Sequence, residues 1–197
     1  MIPELVCERM ILMLFAQDST GGAQPEVRPW SHKPGAMKPT PPSHYRSDDC
    51  LWFFNSVPAY VAESGDTKFY DLVVPYADKG KATVFGHLRR ALEFNLERTG
   101  KHGLPCGLLA DWNDCLKLGY KGESVFVTFQ LRFGLKTYAE IATQLGKPKE
   151  AKWALAELAK LDKKIAKVCW DGGWFIWAIS VFCRNWCLKR VGSMSLR

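Results

Sequence analysis

Hydrophobic residues recur at helical spacing in five segments of the chain, and each segment has one face to bury. The segments cover 4–16, 49–63, 81–98, 122–145 and 149–169. In 122–145, for example, Leu131, Leu135 and Tyr138 are three or four positions apart and therefore line one side of a helix. The alternation of hydrophobic and polar residues that is typical of strands is almost absent. The pattern predicts a mainly α-helical domain.

Glycine and proline mark the ends of these segments. Ser64-Gly65-Asp66 lies at the end of the second one, where Gly65 can adopt the left-handed conformation that ends a helix and Asp66 can cap the next segment. Pro58, inside the same segment, predicts a kink because proline removes a backbone donor. Short turns between helices predict hairpins, packed either as a bundle or as a toroid of alternating inner and outer helices.

The amino-acid composition of the chain changes near residues 17 and 47. Six of the eleven prolines lie between these positions, which predicts an irregular connection. We therefore expect four parts. They are an N-terminal helix (1–17), a Pro/Gly-rich loop (18–46), the main helical domain (47–179) and a basic tail (180–197).

Composition indicates a globular protein with a basic surface. The chain has 197 residues, of which 47% are hydrophobic, enough for one domain with a substantial core. A net charge of +7 would suit an anionic partner, but the Lys and Arg residues are scattered and interleaved with acids. We therefore expect no nucleic-acid partner, and a basic helical nucleic-acid-binding module is the most distant alternative.

Cysteines and the N-terminus indicate the compartment. The seven cysteines are an odd number without a CxxC pair or a zinc-finger histidine, which favours reduced thiols and no metal site. Glu4, Glu8 and Arg9 interrupt the apolar run at the N-terminus, unlike a signal peptide. No stretch has the roughly eighteen apolar residues of a membrane span. We expect a cytoplasmic protein without a membrane partner.

The most unusual polar cluster is Asp111-Trp112-Asn113-Asp114. One interpretation is a turn, because Asp and Asn bond to nearby backbone. A calcium loop fits poorly, since Cys115 stands where an oxygen ligand is needed. The functional interpretation is a sugar site, with an indole against the apolar face of a pyranose and carboxylates on its hydroxyls. An Asp buried beside the indole would stay protonated and could act as a general acid.

A second acidic and aromatic cluster precedes the helix at 49–63. Arg46 is followed closely by Asp48 and Asp49, and Trp52 comes one turn later. Locally, acidic residues at a helix start are favoured by the helix dipole and by capping, which is the simpler interpretation. Two such clusters on one helical scaffold together suggest a pocket for a polyol.

Four segments resemble the catalytic domain of the inverting disaccharide phosphorylases typified by cellobiose phosphorylase, glycoside hydrolase family 94. They are SDDCLW (47–52), SGDTKFYDLVVPY (64–76), HGLPCGLLADWNDCLKLGYKGES (102–124) and CWDGGWFI (169–176). The form ADWNDCL is more similar to the cellobiose type than to the chitobiose or cellodextrin types.

This resemblance implies an all-α fold, a partial (α/α)6 toroid that is incomplete in this chain. It implies phosphorolysis of cellobiose or a related β-linked disaccharide to α-glucose 1-phosphate and glucose, with inversion. Inorganic phosphate would be the co-substrate, with no cofactor. By the resemblance, Asp114 is the general acid, Trp112 shapes the pocket, and Asp49, with Asp48 and Asp111, binds the sugar. One acid suffices, because phosphate is already an anionic nucleophile.

The chain also departs from the family pattern. Trp177 stands where the family has an arginine, and the similarity ends after residue 179. The family's phosphate-binding residues would lie beyond this point, so we expect a truncated fragment without a complete active site. The alternative is a non-catalytic sugar-binding or structural remnant. Full-length members of the family are commonly homodimers.

Overall fold

The five helices lie close to the segments that the hydrophobic pattern predicts. A computed structural model of the protein describes residues 3–24 and 44–180. In this part of the chain the helices are α1 (Pro3–Phe15), α2 (Phe53–Ser64), α3 (Val84–Glu97), α4 (Val125–Gln144) and α5 (Pro148–Val168). Short 3-10 turns at Asp49–Trp52 and Thr67–Asp71 precede and follow α2.

Local sequence explains where the helices begin and end. The hydroxyls of Thr83 and Ser124 accept hydrogen bonds from backbone amides in the first turns of α3 and α4, as N-caps do. Gly65 ends α2 with φ of 70°, as predicted. Asp66 is the N-cap residue of the next 3-10 turn, but its side chain makes no capping hydrogen bond. Pro58 lies inside α2, which continues past it.

Five short strands are the feature that the hydrophobic pattern did not predict. They are β1 (Val73–Pro75), β2 (Lys81–Thr83), β3 (Cys106–Leu108), β4 (Gly119–Ser124) and β5 (Ala178–Ile179). Strands β1 and β2 pair antiparallel, and β3, β4 and β5 form a second antiparallel sheet in that order. Four of them have only two or three residues, too few to show a period of two. The six-residue β4 ends in three consecutive buried positions, so its burial does not alternate.

Helix α4 lies at the centre of the packing. It packs along α5 and also contacts α2 and α3. A side chain at Gly134 would come within 2.9 Å of the ring of Phe54 and 3.1 Å of Leu92, so glycine lets these helices approach closely. The core between them is rich in aromatic rings, including Tyr45 against Phe94.

The structure corrects the all-α part of the prediction for the described residues, because two small sheets lie between the helices. The five helices, of which α4 and α5 form one long hairpin, do not show the predicted partial toroid. Most of the predicted loop, 25–43, and nearly all of the predicted tail, 181–197, lie outside the described residues. The division into four parts stays a prediction.

Two further observations concern the described residues alone. None of their helices is both long enough and apolar enough to cross a membrane. The five cysteines in this part are free thiols, and they are Cys7, Cys50, Cys106, Cys115 and Cys169.

Candidate active site

Backbone pairing brings the two acidic clusters together. The segment at Tyr45–Ser47 runs beside residues 108–110, with the amide of Ser47 donating to the carbonyl of Ala110 at 2.9 Å. In the other direction, the amide of Leu109 donates to the carbonyl of Tyr45 at 3.1 Å. Both acidic clusters come directly after this pairing, so residues more than sixty positions apart in sequence share one site.

Arg46 connects the clusters through its side chain. Its guanidinium forms an ion pair with the carboxylate of Asp114 and donates to the carbonyl of Asp111 at 3.0 Å. The Nε atom lies 3.9 Å from a carboxylate oxygen of Asp49. An arginine between two carboxylates offsets their mutual repulsion, so Asp49 and Asp114 can lie near one another.

Asp48 is buried and Asp49 is half-buried, and each carboxyl group has an unsatisfied oxygen. Burial raises the pKa of Asp48, and burial with the nearby charges of Asp48 and Asp114 raises the pKa of Asp49 to about 7, against the opposing effect of Arg46. One oxygen of Asp48 accepts the indole N–H of Trp52 at 2.9 Å. Its other oxygen and one oxygen of Asp49 have no hydrogen-bond partner among the described residues. Both oxygens are covered by neighbouring atoms, so they could accept hydrogen bonds from sugar hydroxyls only after the site opens.

Both carboxylate oxygens of Asp111 accept hydrogen bonds from other groups of the protein. The residue is buried, and the donors are the amide of Asn113 at 2.8 Å and the hydroxyl of Ser124 at 2.6 Å. The first bond is the side-chain turn that the sequence allowed for. The second ties the loop to the start of α4. These contacts support a role in positioning the loop, and its predicted contact with sugar stays a prediction.

Trp112 and Asp114 are both exposed, which corrects one expectation from the sequence. The Asp114 side chain is 69% exposed, so the burial beside an indole that we expected is absent. The Trp112 side chain is 64% exposed and its ring lies 6.4 Å from that of Phe126. The loop points outward because Asp111, not Asp114, is the acid held inside. Asp49 is instead an acid whose pKa is raised by removal from water.

Glu123 is a buried acid whose role the sequence did not reveal. It lies in β4 opposite Cys106, and its carboxylate accepts hydrogen bonds from the amides of His102 and Leu104 and contacts the ring nitrogen Nδ1 of His102. It therefore fixes the loop before β3, which leads into the acidic cluster. The partners are mostly backbone amides about twenty residues away, which leave no pattern in the sequence.

The arrangement suits proton transfer to a bound polyol. An exposed carboxyl group beside an arginine, two acids with unpaired oxygens and an exposed indole are groups that could bind and protonate a sugar. Among residues 3–24 and 44–180, no group of three or more His, Cys, Asp or Glu side chains is placed to hold a metal ion.

The bond between Ser124 and Asp111 can be tested against a matched helix cap. We expect Ser124→Ala to lower the free energy of unfolding by about 2–3 kcal/mol, because it removes a cap and leaves a buried carboxylate oxygen unpaired. Thr83→Ala removes only the cap of α3 and should cost about 1 kcal/mol. Urea unfolding of both variants measures the difference. Equal losses would show that the bond to Asp111 contributes nothing.

Comparison with known proteins gives a consistent result. The model of the family described as "Glycosyl hydrolase 94 superfamily, catalytic domain" matches residues 1–193. The N,N'-diacetylchitobiose phosphorylase of Vibrio proteolyticus is 41% identical over 132 residues, 66% of this chain and 16% of that protein. The enzyme of the same name from Vibrio furnissii is 36% identical over 179 residues, 84% of this chain and 22% of that protein.

A relative with another substrate in its name is also similar. The solabiose phosphorylase of Paenibacillus borealis is 34% identical over 137 residues, which is 68% of this chain and 18% of that protein. The chain thus spans between 16% and 22% of the length of these three relatives.

Proposed function

The chain belongs to the glycosyl hydrolase 94 superfamily, and on that premise we propose that it acts in the phosphorolysis of a β-linked disaccharide with Asp114 as the general acid. The observation that carries this proposal is the meeting of the two acidic clusters at Arg46. Three relatives are named as disaccharide phosphorylases, which supports the reaction class.

In the proposed reaction Asp114 gives its proton to the oxygen that links the two sugars. The bond from that oxygen to the anomeric carbon breaks, and an oxygen of inorganic phosphate forms a new bond to the same carbon from the opposite face. The products are a sugar 1-phosphate with inverted configuration and a free sugar. The phosphate enters as hydrogen phosphate, and the proton that the sugar 1-phosphate releases to solvent balances the proton that Asp114 takes back from solvent. No second catalytic acid is required.

The ion pair between Arg46 and Asp114 must open during this cycle. In the structure the guanidinium of Arg46 contacts the carboxyl group of Asp114, whereas a general acid must present that group to the departing oxygen. We propose that the entering disaccharide separates the two side chains, since both are accessible at the surface of the site. Arg46 then keeps its contact with Asp49.

The sugar that is transferred would lie against Asp48, Asp49 and Trp112. The unsatisfied oxygens of the two acids are covered in the free protein and would accept its hydroxyls once the site opens, and the exposed indole would cover its apolar face. Asp111 would keep the loop in place below it. Desolvated acceptors of this kind discriminate strongly between sugars that do and do not offer a hydroxyl.

Cellobiose is our proposed substrate from the form of the ADWNDCL motif, and N,N'-diacetylchitobiose is the second candidate because two relatives carry that name. Because the chain spans a minor part of its relatives, a non-catalytic sugar-binding role is the alternative function.

Calorimetry and a phosphorolysis assay on the same folded sample test the proposal. We expect heat of binding with one of the two disaccharides, and release of sugar 1-phosphate when inorganic phosphate is added. Binding without turnover would support the non-catalytic alternative. A folded sample that binds neither disaccharide would contradict the proposed site.

A further inference from the structure

Glu123 is enclosed by the loop at 99–105, which leads into β3 and which we call the supporting loop. The amide of Gly100 closes this loop by donating to the carbonyl of Leu104 at 2.9 Å. A side chain at Gly100 would come within 2.7 Å of the carboxyl carbon of Glu123, so the backbone lies directly against this acid. The Glu123 side chain is only 1% exposed. The carboxyl group is therefore wrapped by the supporting loop.

Three donors of the supporting loop surround the Glu123 carboxylate. One oxygen accepts the amides of His102 and Leu104, at 2.9 and 3.0 Å, and the other lies 2.6 Å from Nδ1 of the His102 ring. Because a carboxylate can only accept, we assign a proton to Nδ1 in this contact. The His102 side chain is 38% exposed, so it reaches the buried acid from the surface of the protein.

The pairing of β3 with β4 is irregular beside this acid. Cys106 pairs with Glu123 and Leu108 pairs with Gly119, so two steps along β3 correspond to four steps along β4. A strand with such an irregularity is not held in register by the backbone hydrogen bonds of the sheet alone. The contacts of Glu123 supply the missing constraint, because they attach β4 to the supporting loop at one defined position.

The next residue of β4 extends this constraint to the candidate active site. The amide of Ser124 donates to the carbonyl of Pro105 at 2.9 Å, and its hydroxyl donates to Asp111 at 2.6 Å. The carboxylate of Asp111 also accepts the amide of Asn113 at 2.8 Å, and Asn113 directly precedes Asp114. A shift of β4 would therefore move the loop that presents the proposed general acid.

We propose that Glu123 and His102 are positioning residues that fix the place of Asp114 by holding β4 in register. The inference rests on the proposed function, because Asp114 is the group whose placement matters for the reaction. Stability alone does not call for an acid here, since burying a carboxylate costs free energy and a well-packed apolar side chain is often as stable. Directional hydrogen bonds to a carboxylate instead specify one arrangement of loop and strand.

Steady-state kinetics of His102→Ala test the inference, and the fold should survive this change because the side chain is partly exposed. We expect kcat for phosphorolysis to fall about tenfold and KM to change less than about twofold, because a misplaced acid affects the transition state more than substrate binding. His102→Asn, whose amide nitrogen can replace Nδ1 as the donor, should recover most of kcat. Lys101→Ala, at the adjacent exposed residue, is the control and should change neither constant.

Hydrogen exchange provides a second measurement that does not depend on turnover. The amides of Asn113, Cys115 and Leu116 donate hydrogen bonds within the loop that carries Asp114. We expect His102→Ala to increase their exchange rates about tenfold, because the loop opens more often when β4 is less firmly held. His102→Asn and the Lys101→Ala control should exchange like the unmodified chain.

The outcomes separate this inference from the proposed function. An active chain in which His102→Ala leaves kcat or the exchange rates unchanged, or in which His102→Asn does not recover kcat, would overturn the positioning role and leave the proposed function standing. Faster exchange in a chain that shows no phosphorolysis would retain the support of the loop by His102 and contradict the proposed function. Adding His102→Ala to Ser124→Ala should lower kcat no further, whereas independent losses would overturn the route through Ser124.

Discussion

Replacing Asp114 with asparagine should lower the rate of sugar 1-phosphate formation by about a hundred- to ten-thousandfold, the usual contribution of a general acid. The amide has nearly the same shape as the carboxyl group but cannot supply a proton to the departing oxygen. The side chain is mostly exposed, so the fold should survive the change. Initial rates with disaccharide and phosphate, measured in the forward direction and in synthesis, give the effect.

Asp162→Asn is the matched control for this experiment. Asp162 is also an accessible aspartate paired with an arginine, Arg132, but it lies on α5 among residues with no part in the proposed site. We expect it to leave the rate unchanged. An Asp114→Asn variant with the rate of the unmodified chain would show that another group protonates the substrate. A smaller loss, equal in both variants, would indicate a general effect of surface charge.

Asp49 should make the stability of the fold fall as pH rises. Its pKa rises from 3.8 to about 7 in the folded protein, so between these values the folded chain holds a proton that the unfolded chain has lost. Stability is therefore highest below about pH 4 with respect to this group, and decreases up to about pH 7. Ionising Asp49 in the folded protein lowers the free energy of unfolding by at most about 4 kcal/mol.

Asparagine at position 49 removes this penalty because the amide does not ionise. We expect the stability advantage of Asp49→Asn over the unmodified chain to grow by about 3 kcal/mol between pH 5 and pH 8. Thermal and urea unfolding at the two pH values measure it. An advantage that is the same at both pH values would show that Asp49 is ionised throughout this range.

A second variant tests the cause of the shift. Arg46 lowers the pKa of Asp49 against the effect of burial, so Arg46→Gln should raise that pKa further. The decrease in stability should then continue above pH 7. If the pH profile of Arg46→Gln matches that of the unmodified chain, the electrostatic contact between the two side chains is negligible.

The periodicity of apolar residues was sufficient to locate the helices. All five predicted segments correspond to helices in the described residues. The predicted and observed ends agree within about three residues, except at the start of α2, where a 3-10 turn occupies the first four predicted positions. Gly65 at the end of α2 was equally predictable, since glycine is the residue that tolerates its positive φ. Helix signals are local, because each depends on residues within one or two turns.

Burial of individual side chains was much less predictable. The motif at 111–114 contains two aspartates on either side of Trp112 and Asn113, and nothing local indicates which acid is buried. In the structure the hydroxyl of Ser124 holds Asp111 inside and leaves Asp114 exposed. Strand β4, which places Ser124 there, ends in three consecutive buried residues and so lacks the alternation by which a strand is recognised.

The sequence alone determined the helices, the mixed but basic surface and the motifs whose resemblance to family 94 the comparison confirmed. Only the tertiary structure decided that Arg46 joins Asp49 to Asp114 and that burial acts on Asp49. The reason is that these two kinds of property depend on interactions of different range along the chain. Helix formation depends on neighbours along the chain, whereas exposure and pKa depend on groups that only folding brings close.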